Sequence, residues 1–325
     1  MIKMTNSNQI FNVHNLEESY WSEMVAPDFS FPDFFDVLVK DLLQKLQQDG
    51  PVTAIDVGSG PFGVLTKHPS ASKFEITHLD PLLNLYENLT DIPHASISYV
   101  KGAAEDIPFL FFDKSFNLVF SRNALDHSQD ILRALKGCLS LVSRNGFFFL
   151  ELLENEGSHA GYTGMHLWNC QRLENDVLLW NPGNYHLVSQ IIYEYFGENI
   201  WMQTRLVEGS AGSQQQSSVY MWFMNCEPEK SKTSEKFTLS YHPLGGLRIL
   251  SKKEEFYPDL MFLQIRYSSA DVQSHTFRWH PEQKIRFFNL KIDDSVSTII
   301  FGETIPDFSK QPTTFVNKWT LRIDT

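Results

Sequence analysis

The chain has 325 residues, 42% of them hydrophobic, which is enough for one large domain or two ordinary ones around a sizeable core. Its net charge of -12 is concentrated before residue 237, so a basic face for a phosphate backbone is not expected and nucleic acid is excluded as a partner. No apolar run approaches a membrane span, the first residues lack the order of a signal peptide, and Cys138, Cys170 and Cys226 are scattered singly, which points to a cytoplasmic protein without a disulfide framework or thiolate metal site.

In chain order, Tyr20, Trp21 and Phe29 come first, placed either as a helical lid that excludes water or as a hydrophobic brace on the fold. A helix is expected from near Ser30, with Pro32 in its first turn, until "DGP" stops it. "VTAIDV" then reads as a strand that turns sharply into a helix through Gly58-x-Gly60-x-x-Gly63. This spacing alone fits a dinucleotide, whose pyrophosphate would sit on the turn's amides. Asp56 opposes that use, because it places a carboxylate beside the phosphate. A sulfonium and an ammonium suit it better.

Strands are expected at Phe74–Asp80, Ser96–Val100, Ser115–Ser121 and Gly146–Leu153, alternating with helices as in a parallel α/β sheet. The clearest helix follows Ser128, the expected N-cap, and carries Ile131, Leu132, Leu135, Leu139 and Val142 on one face up to a stop at Asn145-Gly146. A further helix in "LVSQIIYEYFG" and two strands, "NIWMQTRLVEG" and "SSVYMWFMNC", close a seven-stranded sheet. Residues 1–228 form this first domain. A charged linker, "EPEKSKTSEK", leads to residues 229–325, whose short β-favouring runs predict a small, sandwich-like all-β module.

Several polar residues fall where strands end. Asp80, twenty residues past Gly60, has two oxygens suited to the paired hydroxyls of a ribose. "KGAAEDIPF" is suited to line an adenine. After the fourth strand, Asn123, Asp126 and His127 reach the carboxyl edge, where open α/β sheets bind ligands. Asn123 is assigned to the cofactor; Asp126 and His127 serve either in catalysis or in ending the strand and capping the next helix. Asn155–Gln171, rich in Gly, His, Tyr and Trp, reads as a loop over the site, with His166 as a base, a substrate contact or a pin for the loop. Histidine suits a base because it titrates near neutrality. No pair of side chains has metal-ligand spacing, so no metal is expected.

Taken together, these motifs resemble the class I S-adenosylmethionine-dependent methyltransferases over roughly residues 50–226. The family's apolar-acid-apolar-G-x-G motif is met by Asp56, Val57, Gly58, Ser59 and Gly60, its second acid by Asp80, and its third motif by Gly102, Ala104, Glu105, Ile107, Pro108 and Phe109. Where the family often has Asp or Asn for the adenine amino group, this chain has Ala103, leaving Glu105 or Asp106 for that contact. The resemblance implies a Rossmann-like seven-stranded methyltransferase sheet with S-adenosyl-L-methionine as cofactor. Asp56, Gly58, Ser59, Gly60, Asp80, Ala104, Glu105 and Asn123 would hold it, and Asp126, His127 and His166 would carry the chemistry. The expected reaction is methyl transfer to a small-molecule or glycan-like acceptor, at O or N, in biosynthesis. Two rival readings are an NAD-dependent oxidoreductase and a non-catalytic adaptor that binds partners through the β module.

Overall fold

The computed structural model describes residues 30–46, 51–86, 97–197, 199–211, 216–233, 237–242, 245–251, 260–278, 285–290, 296–304 and 315–322. Tyr20, Trp21 and Phe29, read as a lid, lie outside them. Two compact units are present: one comprises residues 1–191 and 204–226, the other 192–203 and 227–325. No helix among the described residues is long and apolar enough to cross a membrane.

The first unit is built on a seven-stranded sheet of order β3-β2-β1-β4-β5-β10-β9. Its strands are β1 (Val52–Val57), β2 (Phe74–Asp80), β3 (Ile97–Lys101), β4 (Phe116–Arg122), β5 (Val142–Leu153), β9 (Ile200–Ala211) and β10 (Gln216–Asn225). β1 to β5 run parallel, whereas β10 is antiparallel to β5. Ala54, Ile55 and Val57 of the central β1 are fully buried, as expected of a parallel strand covered on both faces. Helix α1 (Asp33–Leu46) turns Phe34, Phe35, Leu38, Val39, Leu42 and Leu43 inward, and Phe35 meets Phe149 with ring centroids 4.5 Å apart. This parallel arrangement brings the carboxyl ends of β1, β2, β4 and β5 to one edge.

Two local expectations change. Helix α2 spans Ile131–Ser140, and its cap is Asp130, whose carboxylate accepts from the Arg133 N–H; Ser128 lies upstream of the cap. Val142 leaves the helix to begin β5, where it pairs with Phe116 of β4. Asn145-Gly146 is a register shift inside β5, with Asn145 at φ 64° and Gly146 against the Asn117 carbonyl, rather than a helix stop. The turn from β1 likewise enters only short 3-10 segments, Val64–Lys67 and Ala71–Lys73.

A three-stranded antiparallel sheet is formed by β6 (Asn169–Leu173), which begins in the last residues of the segment expected as a loop, β7 (Asp176–Asn181) and β8 (Asn184–Leu187). Asn181 makes its second turn, accepting from the Gly183 and Asn184 N–H groups. Helix α3 (Val188–Phe196) follows.

In the second unit, β11 (Lys230–Thr233), β12 (Phe237–His242), β13 (Gly246–Ser251) and β16 (Ile285–Phe288) form one sheet in the order β11-β12-β13-β16. β14 (Leu260–Tyr267), β15 (Val272–Arg278), β17 (Val296–Thr304) and β18 (Phe315–Arg322) form another, in the order β15-β14-β17-β18. Phe237, Leu239 and Ile249 from one and Leu263, Ile299 and Phe301 from the other share a buried cluster, which is sandwich packing. The charged segment read as a linker contains β11, paired with β12. Ile192–Gln203 belongs to this unit, where Trp201 is fully buried against Gly245 and under the Arg248 guanidinium.

Candidate active site

The glycine turn is held by backbone and buried acids. The Gly58 N–H donates to the Leu79 carbonyl at 2.8 Å, linking the ends of β1 and β2. Gly58 has φ 69°, and a Cβ there would stand 2.3 Å from that of Ala124, so both backbone angle and space require glycine. At Gly63, whose φ is 55°, a Cβ would enter the His78 ring. Ser59 is buried, and its hydroxyl points back to the Gly60 carbonyl at 3.4 Å.

Asp56 is 1% exposed, and its Oδ2 accepts from the Leu65 N–H at 3.1 Å. Burial raises its pKa to about 7, helped by Asp80 and opposed by that N–H. His78 Nδ1 lies 3.7 Å away, but burial lowers the His78 pKa to about 4. The two are therefore not an ion pair near neutral pH, despite their separation. Because Asp56 is raised above its unfolded value, its cost to stability is absent below about pH 4 and complete above about pH 7. Asp56→Asn should gain stability relative to the parent across that window, by up to about 4 kcal/mol. Urea denaturation of both proteins at pH 5 and pH 8 measures it; a difference independent of pH would assign Asp56 a different protonation state.

Asp80, at the end of β2, is also buried. Its Oδ2 accepts from the Gly60 N–H at 2.9 Å and Oδ1 from the Leu82 N–H at 2.8 Å. Burial raises its pKa while both N–H groups oppose the shift. Each oxygen retains a lone pair for a hydroxyl. Ala104 begins the 3-10 turn Ala104–Asp106. Glu105 Oε1 accepts from Gln129 and Asp130 N–H, at 2.8 and 3.3 Å, tying this turn to the start of α2. Asp106 Oδ2 accepts from the Ala103 N–H at 3.2 Å. Both acids considered for the adenine contact are thus engaged locally.

Asn123 follows β4 at φ 46°, with its N–H on the Glu151 carbonyl and its Oδ1 accepting from Leu153 N–H. The next turn, Leu125–His127, presents Asp126 and His127. His166 arrives from the loop before β6, and its Nδ1 lies 2.8 Å from Asp126 Oδ2 and 3.2 Å from His127 Nε2. The loop is pinned beside them: the Leu167 and Trp168 N–H groups both donate to the Asp126 carbonyl, and Trp168 Nε1–H donates to the Ser128 carbonyl at 2.9 Å. Trp168 is buried, although its surrounding segment reads as too polar for core. Burial lowers the His127 pKa, with Asp126 opposing and His166 adding to the shift.

Sequence reasoning passed over Glu156, three residues beyond the end of β5. Its Oε1 is 3.5 Å from His166 Nδ1. Burial raises its pKa to about 7, with Asp126 adding to the shift and His166 and Asn123 opposing it. The rule that selected Asp126, an acid just past the carboxyl end of a strand, selects Glu156 as well. A second group also went unread: Glu151 pairs with Arg122 at 2.8 Å and accepts from the Ser218 and Tyr220 hydroxyls, each at 3.0 Å. Its members are far apart in sequence.

Residues 55–150 match the family described as a methyltransferase domain. No curated protein matches the chain. Among solved structures, it is similar to the N-methyltransferase NodS from Bradyrhizobium japonicum WM9, in complex with S-adenosyl-L-homocysteine, at 11% identity over 66% of this chain and 98% of that one, with a TM-score of 0.40. An S-adenosylmethionine-dependent methyltransferase from Clostridium acetobutylicum ATCC 824 is similar at 10% identity over 66% and 99% of the two chains, with a TM-score of 0.39. The matched segment begins inside β1 and ends inside β5, taking in the glycine turn, Asp80 and the Asp126–His127 turn. The match is confined to that segment, less than a third of the chain, and there the chain is similar to methyltransferase domains.

Proposed function

We propose that this protein methylates a small-molecule or glycan-like acceptor at oxygen or nitrogen, as a cytoplasmic step in biosynthesis. S-Adenosyl-L-methionine supplies the methyl group when bound. The observation that carries the reading is the contact of Gly58 with Ala124, two residues before Asp126, which sets the glycine turn directly beside the Asp126–His127–His166 cluster. Asp80 has the lone pairs to accept the ribose hydroxyls, and the Gly58–Gly60 turn brings backbone close to the cofactor. The residues fit such a ligand better than a dinucleotide, because buried Asp56 and Asp80 oppose a pyrophosphate at this turn. The cluster can take up the acceptor's proton, while alignment of acceptor and methyl group supplies much of the acceleration.

Titrating the full chain with S-adenosylhomocysteine and with NAD separates this from the oxidoreductase reading, and methyl-labelled S-adenosylmethionine in native extracts identifies the acceptor by mass spectrometry. Binding of NAD alone would overturn the proposal. Label transfer in none of the extracts, despite cofactor binding, would favour the adaptor. Asp80→Ala should weaken S-adenosylhomocysteine binding by about 1–3 kcal/mol, since a buried charged acceptor is lost. An unchanged dissociation constant by calorimetry would remove the ribose assignment.

A further inference from the structure

From the side chains gathered beyond β4 and β5, we infer a site for one divalent first-row transition-metal ion, held by Asp126, His127 and His166. Around His166 Nδ1 lie Asp126 Oδ2 at 2.8 Å, His127 Nε2 at 3.2 Å and Glu156 Oε1 at 3.5 Å, and Asp126 Oδ2 is 3.5 Å from His127 Nε2. Donors bound at 2.0–2.2 Å to a common ion stand roughly 2.8–3.6 Å from one another in octahedral or tetrahedral arrangements. The separations among Asp126, His127 and His166 fit that spacing. No other group of His, Cys, Asp and Glu among the described residues brings three ligand atoms this close.

Hydrogen bonding does not account for the cluster. His166 Nδ1 carries at most one hydrogen and cannot serve two carboxylates and a second imidazole together. Asp126 is 2% exposed and its Oδ1 has no partner; Glu156 Oε2 is also buried without one. Buried polar atoms are normally satisfied, and two acids facing two imidazoles create a demand that a cation meets. The support is built in as well: the Asp126 carbonyl takes the two N–H groups following His166.

Two imidazoles and one carboxylate favour zinc, manganese, iron or cobalt over magnesium and calcium, which prefer all-oxygen sites. The His127 and His166 side chains are 21% and 31% exposed, so the ion is accessible to an external ligand. Its position beside the glycine turn makes that ligand an oxygen of the methyl acceptor, a hydroxyl or a carboxylate. This use of the ion rests on the methyltransferase reading; its binding does not. No linear motif announces the site, because His166 follows His127 by 39 residues.

The test is a titration of the untagged, chelator-treated full chain with Co2+, read by its visible d–d absorption, followed by displacement with Zn2+. One equivalent should bind. Asp126→Asn and His166→Ala should each weaken binding by more than about 100-fold, the upper end for loss of an outer partner. His127→Ala should weaken it too, and thermal melts of all three variants check their folding. Absence of stoichiometric binding in the parent, or unchanged binding in the folded variants, overturns the site. S-Adenosylhomocysteine titrated into the same samples keeps the readings apart. Cofactor binding without Co2+ binding removes the metal site alone, whereas Co2+ binding without cofactor binding removes the methyltransferase reading alone.

Discussion

Replacing by alanine whichever of His127 and His166 takes up the acceptor's proton lowers turnover by about 10²–10⁴-fold while leaving affinity for S-adenosylmethionine close to that of the parent. Neither ring contributes to the glycine turn or to Asp80, so removing it should spare the cofactor. Neither should unfold the loop, because the backbone of Leu167 and Trp168 and the Trp168 indole hold it to the Asp126–Ser128 turn. The two variants distinguish how the cluster acts. If one ring is a general base, only its variant loses a limb of the pH–rate profile near neutrality, and the other is affected less. If both ligate an ion, both variants fail together and lose bound metal. Full turnover in both would show that positioning alone carries the reaction and that the cluster has no part in it.

The parallel sheet is largely written in the sequence, and the cluster only partly, for a physical reason. Strands buried on both faces have short apolar runs bounded by turn residues, so β2 reads as Phe74–Asp80 and has those bounds. Residues whose placement depends on one strand end, such as Asp80 and Asp126, can be assigned to the carboxyl edge from that strand alone. Glu156 and His166 cannot be placed against Asp126 that way, because β4, β5 and the loop before β6 must all be positioned first. Trp168 shows the same limit: its neighbours Gly164, His166 and Asn169 make the segment look exposed, yet the indole is 4% exposed because its N–H finds the Ser128 carbonyl. The Asn145-Gly146 irregularity was read as a helix stop since left-handed residues serve both helix ends and strand bulges, and only pairing with Phe116 and Leu118 decides between them.

Gly58→Ala should be among the most damaging single changes in the first unit, and Gly58→Val more so. The added Cβ would stand 2.3 Å from the Ala124 Cβ, an atom at the root of its side chain that cannot swing aside. The backbone at φ 69° adds strain for any side chain, most for a β-branched one. Gly209 separates these effects: it has nearly the same angle, φ 67°, with nothing within 4 Å of an added Cβ. Gly209→Ala should therefore cost about 1–2 kcal/mol, the backbone term alone. Gly58→Ala must in addition push the 123–127 turn away from β1, which displaces Asp126 and His127 along with the glycine turn. We expect a larger loss of stability in urea than for Gly209→Ala, and at least about 100-fold weaker S-adenosylmethionine binding in whatever fraction folds, since backbone and acids must shift together. If Gly58→Ala matched Gly209→Ala in stability and bound the cofactor normally, the glycine turn and the Asp126–His127 turn would move independently, and their contact could no longer carry the proposed function.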